Sequence, residues 1–97
     1  MKRIEYAPTS EVDVRSREVQ LLVNIVQPDP EYQPTFLSDQ STLLDFAVEP
    51  RSVVEGRLEA YFQRSLPLPL TSYIWELVDA IRGVCPGWPD EWPPAPQ

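Results

Sequence analysis

The chain contains no histidine. That absence removes the commonest general base, the commonest zinc ligand and every Ser-His or Cys-His dyad. Cysteine occurs once, as Cys85. An internal disulfide is therefore impossible, a structural zinc site of protein nitrogen and sulfur is excluded, and a reducing, cytoplasmic setting is the expectation. The single lysine is Lys2, which leaves no candidate for a buried Schiff-base amine. The three glycines, at positions 56, 83 and 87, are too few and too scattered to cradle a phosphate. Long apolar runs are also missing. The longest, Val19 to Val26, is broken by Gln20 and Asn24 and falls far short of the about 20 residues of a membrane span. Met1-Lys2-Arg3 starts as a signal peptide would, but Glu5, Pro8, Glu11 and Asp13 stand where its apolar core should be.

The groups left for chemistry are carboxylates and hydroxyls without a base. Glu55 and Glu59 stand four residues apart, the spacing of a carboxylate pair on one helix face, but Arg51 precedes Glu55 by the same interval. A surface ion pair is the simpler reading. Asp29-Pro30-Glu31 lacks the glycine and the closing glutamate of a calcium loop. Ser41 and Thr42 read as helix-start residues, and Cys85 as a small buried hydrophobe following a helix C-terminus, where the dipole disfavours a thiolate. No catalytic residue, metal or cofactor is expected; the protein reads as a non-enzyme.

Three features are present in strength. The 97 residues are 42% hydrophobic, enough for one modest core. The 12 prolines demand short elements and stiff connections. The net charge is −7, and between Arg17 and Arg51 there is no basic residue, only Glu18, Asp29, Glu31, Asp39, Asp45 and Glu49. An uninterrupted acidic stretch argues against nucleic acid or an anionic membrane as partner, and favours a protein with a basic surface.

Apolar spacing places the elements. Val19, Leu22, Val23 and Val26 follow a helical i, i+3, i+4, i+7 pattern, with Ser16 as its cap. The same segment is rich in β-branched residues, so a strand over 18–27 remains open, as do short strands at Ile4–Tyr6 and Val12–Val14. Pro28 to Pro34 reads as an exposed acidic loop. A short helical turn over Asp39–Phe46, capped by Ser38, buries Leu43, Phe46 and Ala47. A helix over 51–64 presents Val54, Leu58, Tyr61 and Phe62 on one face. Leu66-Pro67-Leu68-Pro69-Leu70 is an extended connector with its leucines against the core. A helix over 73–84, capped by Thr71 or Ser72, carries the stripe Ile74, Leu77, Val78 and Ile81 and ends at Gly83, Pro86 and Gly87. The expected fold is mainly α: one compact domain over residues 1–85 with three to four short helices, followed by a Pro/Trp-rich tail over 86–97. The class becomes α+β if 18–27 and the N-terminus pair as strands.

The candidate partner-binding residues are Asp29, Glu31, Tyr32, Phe36, Asp39, Asp45, Trp75, Trp88 and Trp92. Tyr32 and Phe36 are bulky aromatics ringed by carboxylates. Trp75 projects about 130° from the centre of its helix's apolar stripe at about 100° per residue, so it is either an exposed anchor or is covered by a tail tryptophan. The Pro-x-x-Pro spacings 86–89 and 93–96 lack a flanking cation and read as a stiff tail rather than a peptide ligand. Two functions are expected from this pattern. One is an acidic inhibitor, immunity protein or adaptor that masks a basic surface. The other is an assembly subunit that self-associates through its Pro/Trp tail into a homo-oligomer.

Overall fold

The computed structural model describes residues 8–92. Four α-helices follow one another: α1, Ser10–Val14; α2, Ser16–Val26; α3, Arg51–Phe62; and α4, Ile74–Val84. Two single 3-10 turns, Pro30–Tyr32 and Leu43–Asp45, lie between α2 and α3. Among the described residues there is no strand, so the protein is mainly α. No helix among them is long and apolar enough to cross a membrane.

Residues 18–27 resolve their ambiguity as helix. In α2 the four residues at helical spacing, Val19, Leu22, Val23 and Val26, are all buried, whereas a strand would have split them between two faces. Val12–Val14 belongs to α1 rather than to a strand, and Ile4–Tyr6 lies outside the described residues. The stripes of α3 (Val54, Leu58, Phe62) and α4 (Ile74, Leu77, Val78, Ile81) are buried as expected, with Tyr61 packed partly against the core. Leu70 is completely buried, and Leu66 and Leu68 lean on the core, so the proline connector lies across the core as its leucines require.

The caps depart from expectation. Ser16 is the first residue of α2 rather than its cap, and neither Thr71 nor Ser72 caps α4; Tyr73 occupies that position without a side-chain bond. The leading N–H of α4 is instead satisfied from elsewhere, Ile74 donating to the Ser41 carbonyl at 2.9 Å. The helical turn expected over Asp39–Phe46 shrinks to Leu43–Asp45, capped by Thr42 rather than Ser38. Helix α3 ends with Gln63 in the left-handed region, φ 59°, a position that glycine fills more easily.

The largest departure is at the C-terminal end. Packing does not stop at residue 85. Trp88 is 1% exposed and meets Phe62 edge-to-face with ring centroids 5.3 Å apart. Its indole N–H donates to the Tyr61 hydroxyl at 3.3 Å. Trp92 stacks obliquely on Phe62 at 5.8 Å and donates to the Tyr61 carbonyl at 2.9 Å. Arg17 on α2 pairs with Asp90 of the same segment. Proline spacing made 86–97 look like a separate tail, but its tryptophans supply the apolar surface that α3 and α4 need at their C-terminal ends; the second Pro-x-x-Pro, 93–96, lies outside the described residues.

Removing residues 86–97 is therefore expected to damage the fold itself. Truncation of a buried tryptophan costs about 3–5 kcal/mol, and urea unfolding of Trp88→Ala should show that loss as a lowered midpoint. An unchanged midpoint would return the segment to the status of an appendage. The opposite sign is expected at Gly56, an exposed position inside α3 where an added Cβ meets nothing within 4 Å. Gly56→Ala should raise stability by about 0.5–1 kcal/mol.

Candidate functional site

The segment from Pro28 to Leu37 connects α2 to the Ser38–Thr42 loop, and its prolines exclude it from any helix longer than one turn. Asp29 starts that turn by accepting the Glu31 N–H at 3.0 Å, with Pro30 in the first helical position. Gln33 then anchors the segment to α2. Its side-chain N–H groups donate to the Gln27 carbonyl at 2.8 Å and to Asn24 Oδ1 at 3.0 Å, and Gln20 donates to the same Asn24 oxygen at 2.9 Å. This polar ladder lays the segment along the solvent face of α2 and leaves Tyr32 61% and Phe36 56% exposed. Glu31 and Asp29 are exposed beside them, with no ion-pair partner among the described residues.

Of the nine candidates, Asp29, Glu31, Tyr32 and Phe36 thus share one exposed segment. The other five serve the fold. Asp39 Oδ1 accepts the N–H groups of both Glu11 and Val12 at 3.0 Å, so the helix it caps is α1, not one that follows it. Asp45 accepts from the backbone and hydroxyl of Thr42 at 2.9 and 3.0 Å, closing its own turn. Trp88 and Trp92 belong to the aromatic cluster around Tyr61 and Phe62.

Trp75 is half-buried, and its cover is not a tail tryptophan. Its indole N–H donates to the Asp39 carbonyl at 2.9 Å, and the Arg15 guanidinium lies 5.4 Å from its ring centre. Arg15 also bridges α1 to α4, donating two bonds to the Asp79 carboxylate at 2.7 and 2.8 Å and two to Glu11, at its carbonyl (2.9 Å) and its carboxylate (3.0 Å). Hydrogen bonding to Asp79 raises the Arg15 pKa above the ordinary guanidinium value, against the opposing effect of partial burial. The guanidinium stays charged and covers one face of Trp75.

Three further arginines are spent in the same way. Arg17 pairs with Asp90, Arg51 with Glu55 at 2.7 Å, and Arg57 with Glu49 at 2.6 Å while also reaching the Val26 carbonyl. Arg51–Glu55 is the surface pair the sequence suggested. Among the described residues, Asp13, Glu18, Glu31, Glu59, Glu76 and Glu91 join no ion pair, and neither do Asp29, Asp39 and Asp45. The acidic excess is consequently external. Sequence reasoning missed Gln20, Asn24, Gln33 and Arg15. The first two stand four residues apart opposite the apolar stripe of α2, a signal visible in the sequence but indistinguishable there from ordinary solvated surface.

The Asp39 geometry makes a specific prediction. Loss of a cap costs about 0.5–2 kcal/mol, while asparagine caps nearly as well as aspartate. Asp39→Ala should lower the unfolding free energy from urea titration by that amount and Asp39→Asn by less than half of it. Equal losses would assign the effect to charge rather than to the acceptor that α1 requires.

Comparison of the chain with protein families, with curated proteins and with solved structures found no match.

Proposed function

We propose that the protein is a non-catalytic binding module, an acidic inhibitor, immunity protein or adaptor that masks the basic surface of a partner protein in the cytoplasm. The observation that carries this reading is the division of labour among its aromatic and charged residues. All three tryptophans donate internal hydrogen bonds and pack on the core, while the segment that exposes Asp29 and Glu31 also exposes Tyr32 by 61%. Large exposed aromatics beside carboxylates suit a target rich in arginine and lysine. Rigidity supports the same reading, because the Gln20–Asn24–Gln33 ladder fixes the segment before any partner arrives and lowers the entropy cost of binding. Self-association through the tail has less support, since the tryptophans that would dock into a neighbouring copy fill their own chain's core.

The test is capture by the tagged protein from lysate of its own cells, comparing the native chain with Glu31→Lys/Tyr32→Ala at low and at high salt. The expected result is a basic protein held by the native chain at low salt, weakened at high salt, and lost by about tenfold or more in the double variant. The variant's unfolding free energy should stay within about 0.5 kcal/mol of the native value, as both positions are exposed. Equal retention by the two chains at equal stability would rule out this surface.

A further inference from the structure

The turn that opens the exposed segment sets an aromatic ring close to a carboxylate and supplies no cation. The Tyr32 N–H donates to the Asp29 carbonyl at 3.1 Å. That bond closes residues 29–32 into one turn, which keeps its two end residues within about 7 Å at Cα. The Asp29 carboxylate is held in orientation, because its Oδ1 accepts the Glu31 N–H at 3.0 Å. Oδ2 is left unused, and the ionised group keeps lone pairs enough for a forked donor. The Tyr32 ring is 61% exposed. Among the described residues no second ring and no cation packs on it, and no arginine pairs with Asp29 or Glu31.

The molecule already joins an aromatic ring, a carboxylate and a guanidinium once within itself. Arg15 lies 5.4 Å from the centre of the Trp75 ring while its Nε and a terminal nitrogen fork onto Asp79, four residues further along α4. We propose that Asp29 and Tyr32 are the open counterpart of that arrangement. They clamp one arginine side chain of the partner protein, its guanidinium on the Tyr32 ring and its N–H fork on the Asp29 carboxylate. The proposal rests on the binding function inferred above and names the side chain that the segment selects. A planar, weakly hydrated guanidinium gains from both parts, whereas the compact ammonium of lysine gains from the carboxylate and much less from the ring. An apolar occupant would bury Asp29 without a cation, and an anion would meet Asp29 and Glu31 together. Glu31, next in the chain, favours a cation by its charge without having to touch it. Tyr73 also stands exposed with a carboxylate three residues on, Glu76. Its exposure is lower, at 41%, and among the described residues no hydrogen bond orients the Glu76 side chain.

The experiment is a titration of the isotope-labelled full chain with N-acetyl-arginine amide and with N-acetyl-lysine amide, followed by backbone-amide and tyrosine-ring chemical shifts. The expected result is saturable shifts centred on residues 29–32 with the arginine probe, and binding of the lysine probe weaker by about twofold or more. Asp29→Asn, which still accepts the Glu31 N–H, should weaken the arginine probe about twofold to fivefold. Tyr32→Leu should weaken it by about the same factor, and Tyr32→Phe, which keeps the ring, should restore it. Equal affinity for the two probes, undiminished binding by Asp29→Asn, or shifts centred on Tyr73 and Glu76 would each overturn the assignment. The wider function has its own test in the capture experiment. Loss of capture by Glu31→Lys/Tyr32→Ala, together with no preference for the arginine probe, would overturn the clamp and keep the binding function.

Discussion

Residue Asp39 holds α1 to the rest of the protein. Its carboxylate takes the Glu11 and Val12 N–H groups, its carbonyl takes the Trp75 indole N–H, and its own N–H donates to the Pro8 carbonyl at 2.8 Å. Two residues later the Ser41 carbonyl takes the first N–H of α4. A helix as short as α1 cannot sustain itself, because a single turn gains too few bonds to offset its nucleation. It exists because an acceptor from another part of the chain meets its open end. Once α1 is held there, Arg15 lies over Trp75 and reaches Asp79, and the α1–α4 contact is closed by charge as well as by hydrogen bonds.

A small domain has little apolar surface to spare, and this one uses its largest side chains for cohesion. Trp88 and Trp92 extend the core beyond the end of α4 through Tyr61 and Phe62, and each indole N–H finds an oxygen of Tyr61. That double use of Tyr61, hydroxyl to one ring and carbonyl to the other, explains why an aromatic cluster can close the C-terminal end without an unsatisfied donor. Tyr32, by contrast, stands exposed on the segment that the Gln20–Asn24–Gln33 ladder holds outside the core.

The three longer helices were legible because their apolar residues recur at a spacing that only a helix can gather on one side, and no β-branched preference at Val19, Val23, Ile25 and Val26 overrode that arithmetic. The cap signals failed for a physical reason. Ser16, Thr71 and Ser72 are good local cap residues, but a helix end is indifferent to where its acceptor comes from, and Asp39 and Ser41 supply acceptors to Val12 and Ile74 across 27 and 33 residues of sequence. Helical projection put Trp75 off its stripe correctly, but projection describes one helix alone and cannot see Arg15 arriving from another. The tail was misjudged because prolines exclude regular structure without excluding burial, and Trp88 is buried in an irregular turn. Of the candidate site, the acidic aromatic segment was legible from composition. The Gln20–Asn24–Gln33 ladder was not, since it needs Gln33 to return onto α2 across the intervening prolines.

The external charge follows from the same internal economy. Four of the arginines are drawn into ion pairs, and each joins carboxylates that would otherwise sit beside a packed element: Asp79 on α4, Asp90 beside Trp88, Glu49 before α3 and Glu55 on it. Exposed pairs of this kind add about 0.2–1 kcal/mol apiece to stability, too little to account for the fold. Their larger effect is to remove cations from the surface while the carboxylates at positions 13, 18, 29 and 31 keep theirs unmatched. Those four carboxylates put part of the resulting field on α1, α2 and the segment that follows them. A basic partner would be drawn there by long-range attraction before any contact formed. On the proposed function, that attraction would govern how fast the complex forms, and the contacts made at the exposed segment how long it lasts.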